Sequence, residues 1–224
     1  RLEQAGASGL TGNELVDELR EAAKAYVRWV FEQDCIDNRV FGVVAFAGNG
    51  AFHVVKPLPI NVDGESLQAV LAALDDMTPA SLLDNIGDMT RDLYGAIEHG
   101  VGLLSSFALS QDLHLRYVEG TSMLVFAAGP DTAGVRSEAQ AFAKLTQQIV
   151  GVQADTYFLG LSQSPDPIVF QGLSPGVSAA MYSYAIDGAN LDNAFATAAE
   201  ALYTEAPNKG LNHYAVAFCS TVRS

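Results

Sequence analysis

The residues of this 224-residue sequence best suited to chemistry begin at Gly172-Leu173-Ser174-Pro175-Gly176. This G-x-S-x-G run is followed in order by Asp187 and His213. A serine on a strained turn, a histidine to take its proton and a carboxylate to orient the histidine form the set that acyl transfer needs. The same chemistry needs N–H donors aimed at the developing oxyanion, one of them from the residue after the nucleophile. Here that residue is Pro175, which has no N–H. Ser174 also falls in a Pro-, Ser- and Gly-rich passage that reads as loop, whereas a nucleophile elbow needs a strand before it and a helix behind it. Ser174 is therefore expected not to be a nucleophile.

The likeness to α/β-hydrolases stops at those letters. The four histidines, His53, His99, His114 and His213, lie on distant elements without H-x-x-x-H or Cys/His spacing, so no metal site is expected. Asp75-Asp76 and Asp84, Asp88 and Asp92, the last three at four-residue intervals, would place carboxylates along one helix face. Like charges at that spacing mildly oppose a helix, but without a ligand loop a solvated acidic face is the better reading. Cys35 has no basic residue nearer than Arg39, and Cys219 falls mid-strand, so neither is a promising thiolate. A Cys35–Cys219 bridge would imply an oxidising compartment; two free thiols are the preferred reading. Gly48-Asn49-Gly50 lacks the G-x-G-x-x-G spacing and a following helix, so it reads as a hairpin turn and not a nucleotide loop. No catalytic, cofactor-binding or metal-binding residue, and no cofactor, is assigned.

The elements that would position these residues are easier to read. Residues 1–10 look like an arm. Thr11-Gly12-Asn13-Glu14 is a capping box opening a helix to about Gln33, with Leu15, Leu19, Ala22, Tyr26 and Val30 along its apolar face. RVFGVVAFA (39–47) and AFHVVKPL (51–58) read as a hairpin followed by a helix at 65–77. Thr78-Pro79 starts a longer helical region to about Ser110, with a break expected near Gly100. HLRYV (114–118), a turn at 119–121 and SMLVFA (122–127) read as a second hairpin, and Pro130 as the first residue of the helix after it. TYFLGL (156–161), IVF (168–170), MYSYAI (181–186) and LNHYAVAFCSTV (211–222) read as strands, and 190–205 as a helix. A strand-strand-helix order thus recurs over 39–77, 113–150 and 168–205. The expected fold is α+β: a mixed or mainly antiparallel sheet of such units, covered by amphipathic helices and preceded by an N-terminal helix. Residues 11–224 read as one domain, with a candidate sub-boundary near 110.

The segment 115–149, LRYVEGTSMLVFAAGPDTAGVRSEAQAFAKLTQQI, resembles the strand-strand-helix part of ring-building modules of secretins and related envelope assemblies. That resemblance implies packing between copies. Composition narrows the partners further. The net charge of −14 would repel a phosphate backbone and there is no Lys/Arg run, so nucleic acid is not an expected partner. No apolar run reaches the roughly 20 residues of a membrane span. The leading expectation is a non-enzymatic structural or assembly subunit, of a virion shell, envelope ring or appendage, with its arm and first helix making contacts. Its partners would be other copies or protein subunits, in a virion or extracytoplasmic setting. The second is an extracytoplasmic ligand-binding or sensory domain with Tyr157, Tyr182, Tyr184 and Tyr203 lining a pocket; a hydrolase comes last.

Overall fold

FGVVAF, SMLVFA and TYFLGL are apolar on both parities. A strand of that kind must be covered on both faces, as in parallel sheets flanked by helices. The computed structural model places all three inside such a sheet. It describes residues 12–33, 40–46, 52–59, 64–81, 90–110, 120–132, 134, 137–151, 154–161, 168–169, 171, 182–185, 190–204 and 213–220. The elements run α1 (Gly12–Phe31), β1 (Phe41–Phe46), β2 (Phe52–Lys56), α2 (Leu67–Asp75), α3 (Leu93–Ser110), β3 (Gly120–Ala127), α4 (Glu138–Gly151), β4 (Ala154–Leu161), β5 (Tyr182–Ala185), α5 (Leu191–Thr204) and β6 (His213–Ser220).

The six strands form one sheet in the order β2-β1-β6-β3-β4-β5. Among the described residues only β1 and β2 pair antiparallel, with Phe46 opposite Phe52; the β1–β6, β6–β3, β3–β4 and β4–β5 ladders are all parallel. The α+β composition, the mixed sheet and the N-terminal helix are as expected, but the sheet is not mainly antiparallel. One face of it carries Phe41, Val43, Ala45, Leu124, Phe126, Tyr157 and Leu159, packed with residues of α1, α2 and α5. The other carries Val44, Phe46, Met123, Val125 and Phe158, packed with residues of α3 and α4. The period-2 alternation of the strands deals successive side chains to the two layers. The apolar stripe of α1, including Leu15, Leu19, Ala22, Tyr26 and Val30, is spent on this core, so that stripe is not free to grip a neighbouring subunit.

Of the three strand-strand-helix units, only the first holds. Gly120 and Thr121, expected in a turn, are strand residues of β3, whose neighbours β6 and β4 are both parallel to it; residues 114–118 lie outside the described residues. The hairpin that carried the resemblance to ring-building modules is therefore not reproduced at its second strand. Residues 168–169 are helical, not a strand. Residues 90–92 are not helical, and Gly100, where the break is expected, is buried within α3. Helix α4 begins at Glu138 and not at Pro130. Ser137 and Gln140 form its capping box: the Gln140 N–H donates to Ser137 Oγ (3.4 Å) and the Ser137 N–H to Gln140 Oε1 (3.3 Å). Thr78 caps the turn at 79–81 as expected, accepting the Ser81 N–H on Oγ1 (3.1 Å). The Thr11 cap, the arm, Cys35, Ser174 and Asp187 lie outside the described residues.

The β1–β2 hairpin is pinned at its open end by a buried ion pair. Its register shifts between Val43 and Val44, which breaks the regular ladder where Lys56 arrives. Lys56 Nζ lies 2.5 Å from Glu65 Oε1 and donates to the Phe41 carbonyl (2.8 Å), while the Phe41 N–H donates to Glu65 Oε2 (2.8 Å). Both backbone groups of Phe41 are thus satisfied by the pair. Replacing one member leaves the other charge buried without its partner, which costs more than the intact pair contributes. Glu65→Ala is expected to lower unfolding stability by about 3 kcal/mol, read as a shifted midpoint in urea at unchanged slope.

Candidate functional site

In an open sheet of parallel strands, ligands bind beyond the carboxyl ends of the strands, where the strand order reverses. Here the order steps outward from β6 in both directions, through β1 and β2 on one side and β3, β4 and β5 on the other. The carboxyl ends of β6 and β3 therefore mark the candidate site. The chain leaving β3 (Ala128 to Thr132) meets the chain entering α3 (Thr90 to Leu93) at this crest, and the two are laced together. The Arg91 N–H donates to Thr132 Oγ1 and the Thr132 N–H to the Arg91 carbonyl, both at 2.8 Å. Arg91 Nε donates to the Pro130 carbonyl at 3.1 Å.

Two aspartates complete the junction. Asp92 caps α3: its Oδ1 accepts the Gly95 N–H at 2.8 Å while its carbonyl accepts the first helical N–H, that of Ala96, at 3.0 Å. Asp131 Oδ1 accepts from Gly134 (3.3 Å), which holds the left-handed φ of +64° that favours glycine, and Oδ2 accepts from the Tyr94 N–H (3.5 Å). Burial raises the Asp131 carboxyl above its ordinary 3.8, and the N–H groups of Gly134, Tyr94 and Leu93 oppose that rise while the Asp92 charge adds to it. Burial lowers the Arg91 guanidinium below its ordinary value, opposed by the Asp131 charge. The guanidinium lies against Gly129, where a Cβ would stand 2.7 Å from Arg91 Cζ. The result is a junction with a half-buried arginine near an aspartate on a hydrogen-bonded backbone, suited to hydrogen-bonding a polar partner. Among the described residues its side-chain oxygens are committed to backbone N–H groups, and it presents no nucleophile with a base in reach.

Other residues singled out in the sequence fall elsewhere. Asp92 is the cap before α3, so the proposed run of Asp84, Asp88 and Asp92 along one helix face fails at its last member; Asp84 and Asp88 lie outside the described residues. Asp75 is an exposed partner of Lys24, whose ammonium holds the Asp75 carboxyl below its ordinary range. Tyr157 donates to Ser183 Oγ (2.9 Å) and packs with the α1 layer, whereas Tyr182 and Tyr184 pack with the α3 layer. Tyr157 therefore does not share a pocket with Tyr182 and Tyr184, because 157 has the opposite strand parity to 158 and 160, which pair with 182 and 184; the side chain of Tyr203 lies outside those described. His53 lies in β2, His99 in α3 and His213 in β6, and His114 is outside the described residues. Cys219 sits in β6 opposite Ala45. Among the described residues no three His, Cys, Asp or Glu side chains converge in the manner of a metal site. No helix described is long and apolar enough to cross a membrane.

Sequence reasoning missed Arg91 and Thr132, and took Asp131 for a helix-dipole residue. The Ser137-x-x-Gln140 box was the available signal that the helix begins at Glu138 and not at Pro130. In comparisons with known proteins, no family model matched the chain and no match to a curated protein was found.

The junction gives a paired prediction. Gly129→Ala drives a methyl into the guanidinium, while Gly102→Ala, at an exposed helical position with nothing within 4 Å of the new Cβ, meets open space. Gly129→Ala is expected to cost about 1 to 2 kcal/mol through a displaced side chain and a lost hydrogen bond. Gly102→Ala should gain about 0.5 to 1 kcal/mol from helix propensity. Chemical denaturation of the two variants should give opposite signs.

Proposed function

We propose that the chain is a non-enzymatic interaction domain that packs against other copies of itself or other subunits of a protein assembly, using the carboxyl crest of its sheet. The observation that carries this reading is the contrast between the two kinds of surface. Both sheet faces are covered by the chain's own helices, while the crest ends in a rigid junction with a half-buried guanidinium at its edge. Arginines held in place in this way are favoured at protein interfaces, because a planar fork already oriented loses little freedom on binding. With 26 acidic residues against 12 basic ones, most of the chain's surface should repel a second copy, and a fixed arginine offers that copy's carboxylates a contact. The contact thus moves from the first helix, whose apolar face is used internally, to the crest. The sensory alternative has less support, since Tyr157 lies in one layer and Tyr182 and Tyr184 in the other.

Sedimentation velocity over a range of concentrations tests the proposal. Wild-type protein should associate, and Arg91→Glu should weaken association by about tenfold or more, equivalent to about 1.4 kcal/mol, with an unchanged circular dichroism spectrum. A strictly monomeric wild type, or association indifferent to Arg91→Glu, would count against it.

A further inference from the structure

Strand β2 is one edge of the sheet, and its two ends are held differently. The open end of the hairpin is fixed by Lys56 and Glu65. Near the turn, the ring of Phe52 lies on the imidazole of His99, with centroids 4.7 Å apart and planes 11° from parallel. Because His99 belongs to α3, this stack ties the edge strand to the helix layer beneath it. The imidazole Nε2 is buried and, among the described residues, has no hydrogen-bond partner.

A neutral imidazole tolerates that position, since it can carry its proton on Nδ1 and leave Nε2 a bare lone pair. An imidazolium has an N–H on both nitrogens, so the second donor would be buried with no acceptor and the charge would lie in an apolar layer. Among the described residues no neighbouring charge offsets this. On α3, Asp92 caps its own helix and Glu98 pairs with Lys144 of α4. On β2, Lys56 is engaged with Glu65, and His53 is the other titratable group; α4 also carries Glu138, β6 carries His213, and β1 and β3 carry no charged residue. Burial alone acts on His99, lowering its pKa from 6.5.

We propose that the His99–Phe52 stack is an acid-sensitive latch, in which the neutral imidazole holds the edge strand β2 onto α3 and protonation releases it. A group whose neutral form is favoured by folding contributes stability above its unfolded pKa of 6.5, and that contribution is lost as pH falls through the folded value. Release uncovers Phe46 and the edge of β1, whose backbone groups can then pair with another strand. The latch stands independently of the role given to the crest.

Hydrogen exchange at the amides of 52–56, together with an NMR titration of the His99 ring, tests it at about pH 7.5 and about pH 5. After correction for intrinsic rates, wild-type β2 protection should fall by about tenfold at the lower pH. His53→Gln should behave as wild type. His99→Phe keeps a ring with nothing to protonate and should lose the pH dependence. If His99→Phe does not fold, Phe52→Leu serves instead, with lowered protection at both pH values. Protection in wild type that does not change with pH, an equal loss in His99→Phe, or a Phe52→Leu protein that keeps the wild-type pH response would overturn the latch.

Discussion

The sheet depends on its last strand lying in its middle. Strands β1 and β3 are not neighbours in the sheet; each pairs with β6, which matches Val44 to Phe218 on one side and Val125 to Phe218 on the other. Without β6 the β2-β1 hairpin and the β3-β4-β5 ladder would be separate pieces, each with an unpaired edge and neither wide enough for the two helix layers. The pairing joins the two halves of the chain at the cost of closing a long loop, and that cost grows only slowly with loop length. Everything on either face is therefore packed on a sheet whose centre forms from residues far apart in sequence.

The same placement makes the crest. Because β6 is parallel to both neighbours, the carboxyl ends of β1, β6 and β3 emerge on one edge, and the strand order turns there. The chain leaving β3 must cross to α4 and the chain entering α3 must descend beside it, so the two segments meet and exchange the Arg91–Thr132 hydrogen bonds. Asp131 completes the contact by accepting backbone N–H groups, at the expense of a burial that disfavours its charge. The interaction role proposed for the crest rests on this rigidity, since ordered side chains lose less entropy on binding.

Much of the architecture was legible one element at a time. The amphipathic periods of α1, α2 and α5 were readable from spacing, and the GNG turn placed the β1–β2 hairpin. The partners of the strands were not legible. FGVVAF and SMLVFA lack the apolar–polar alternation of a strand with one wet face, and that absence was the sign of a sheet covered on both sides. Reading Glu119-Gly120-Thr121 as a turn gave priority to local glycine chemistry, where tertiary pairing with β6 and β4 prevailed. Proline misled in the same way: Pro130 is allowed at a first helical position, but the Ser137–Gln140 box sets the start of α4. The site was least legible, because Arg91 and Thr132 are brought together across 41 residues by topology and belong to no sequence motif.

The most direct test of this account is the position of β6, read from interstrand nuclear Overhauser contacts of the Phe218 backbone protons, the amide proton facing one neighbour and the Hα the other, in isotope-labelled protein. A strand inserted parallel between two neighbours predicts backbone contacts from Phe218 to both Val44 and Val125, with the 213–220 amides among the slowest to exchange. Contacts to one neighbour only, an antiparallel pattern, or rapid exchange throughout 213–220 would contradict it.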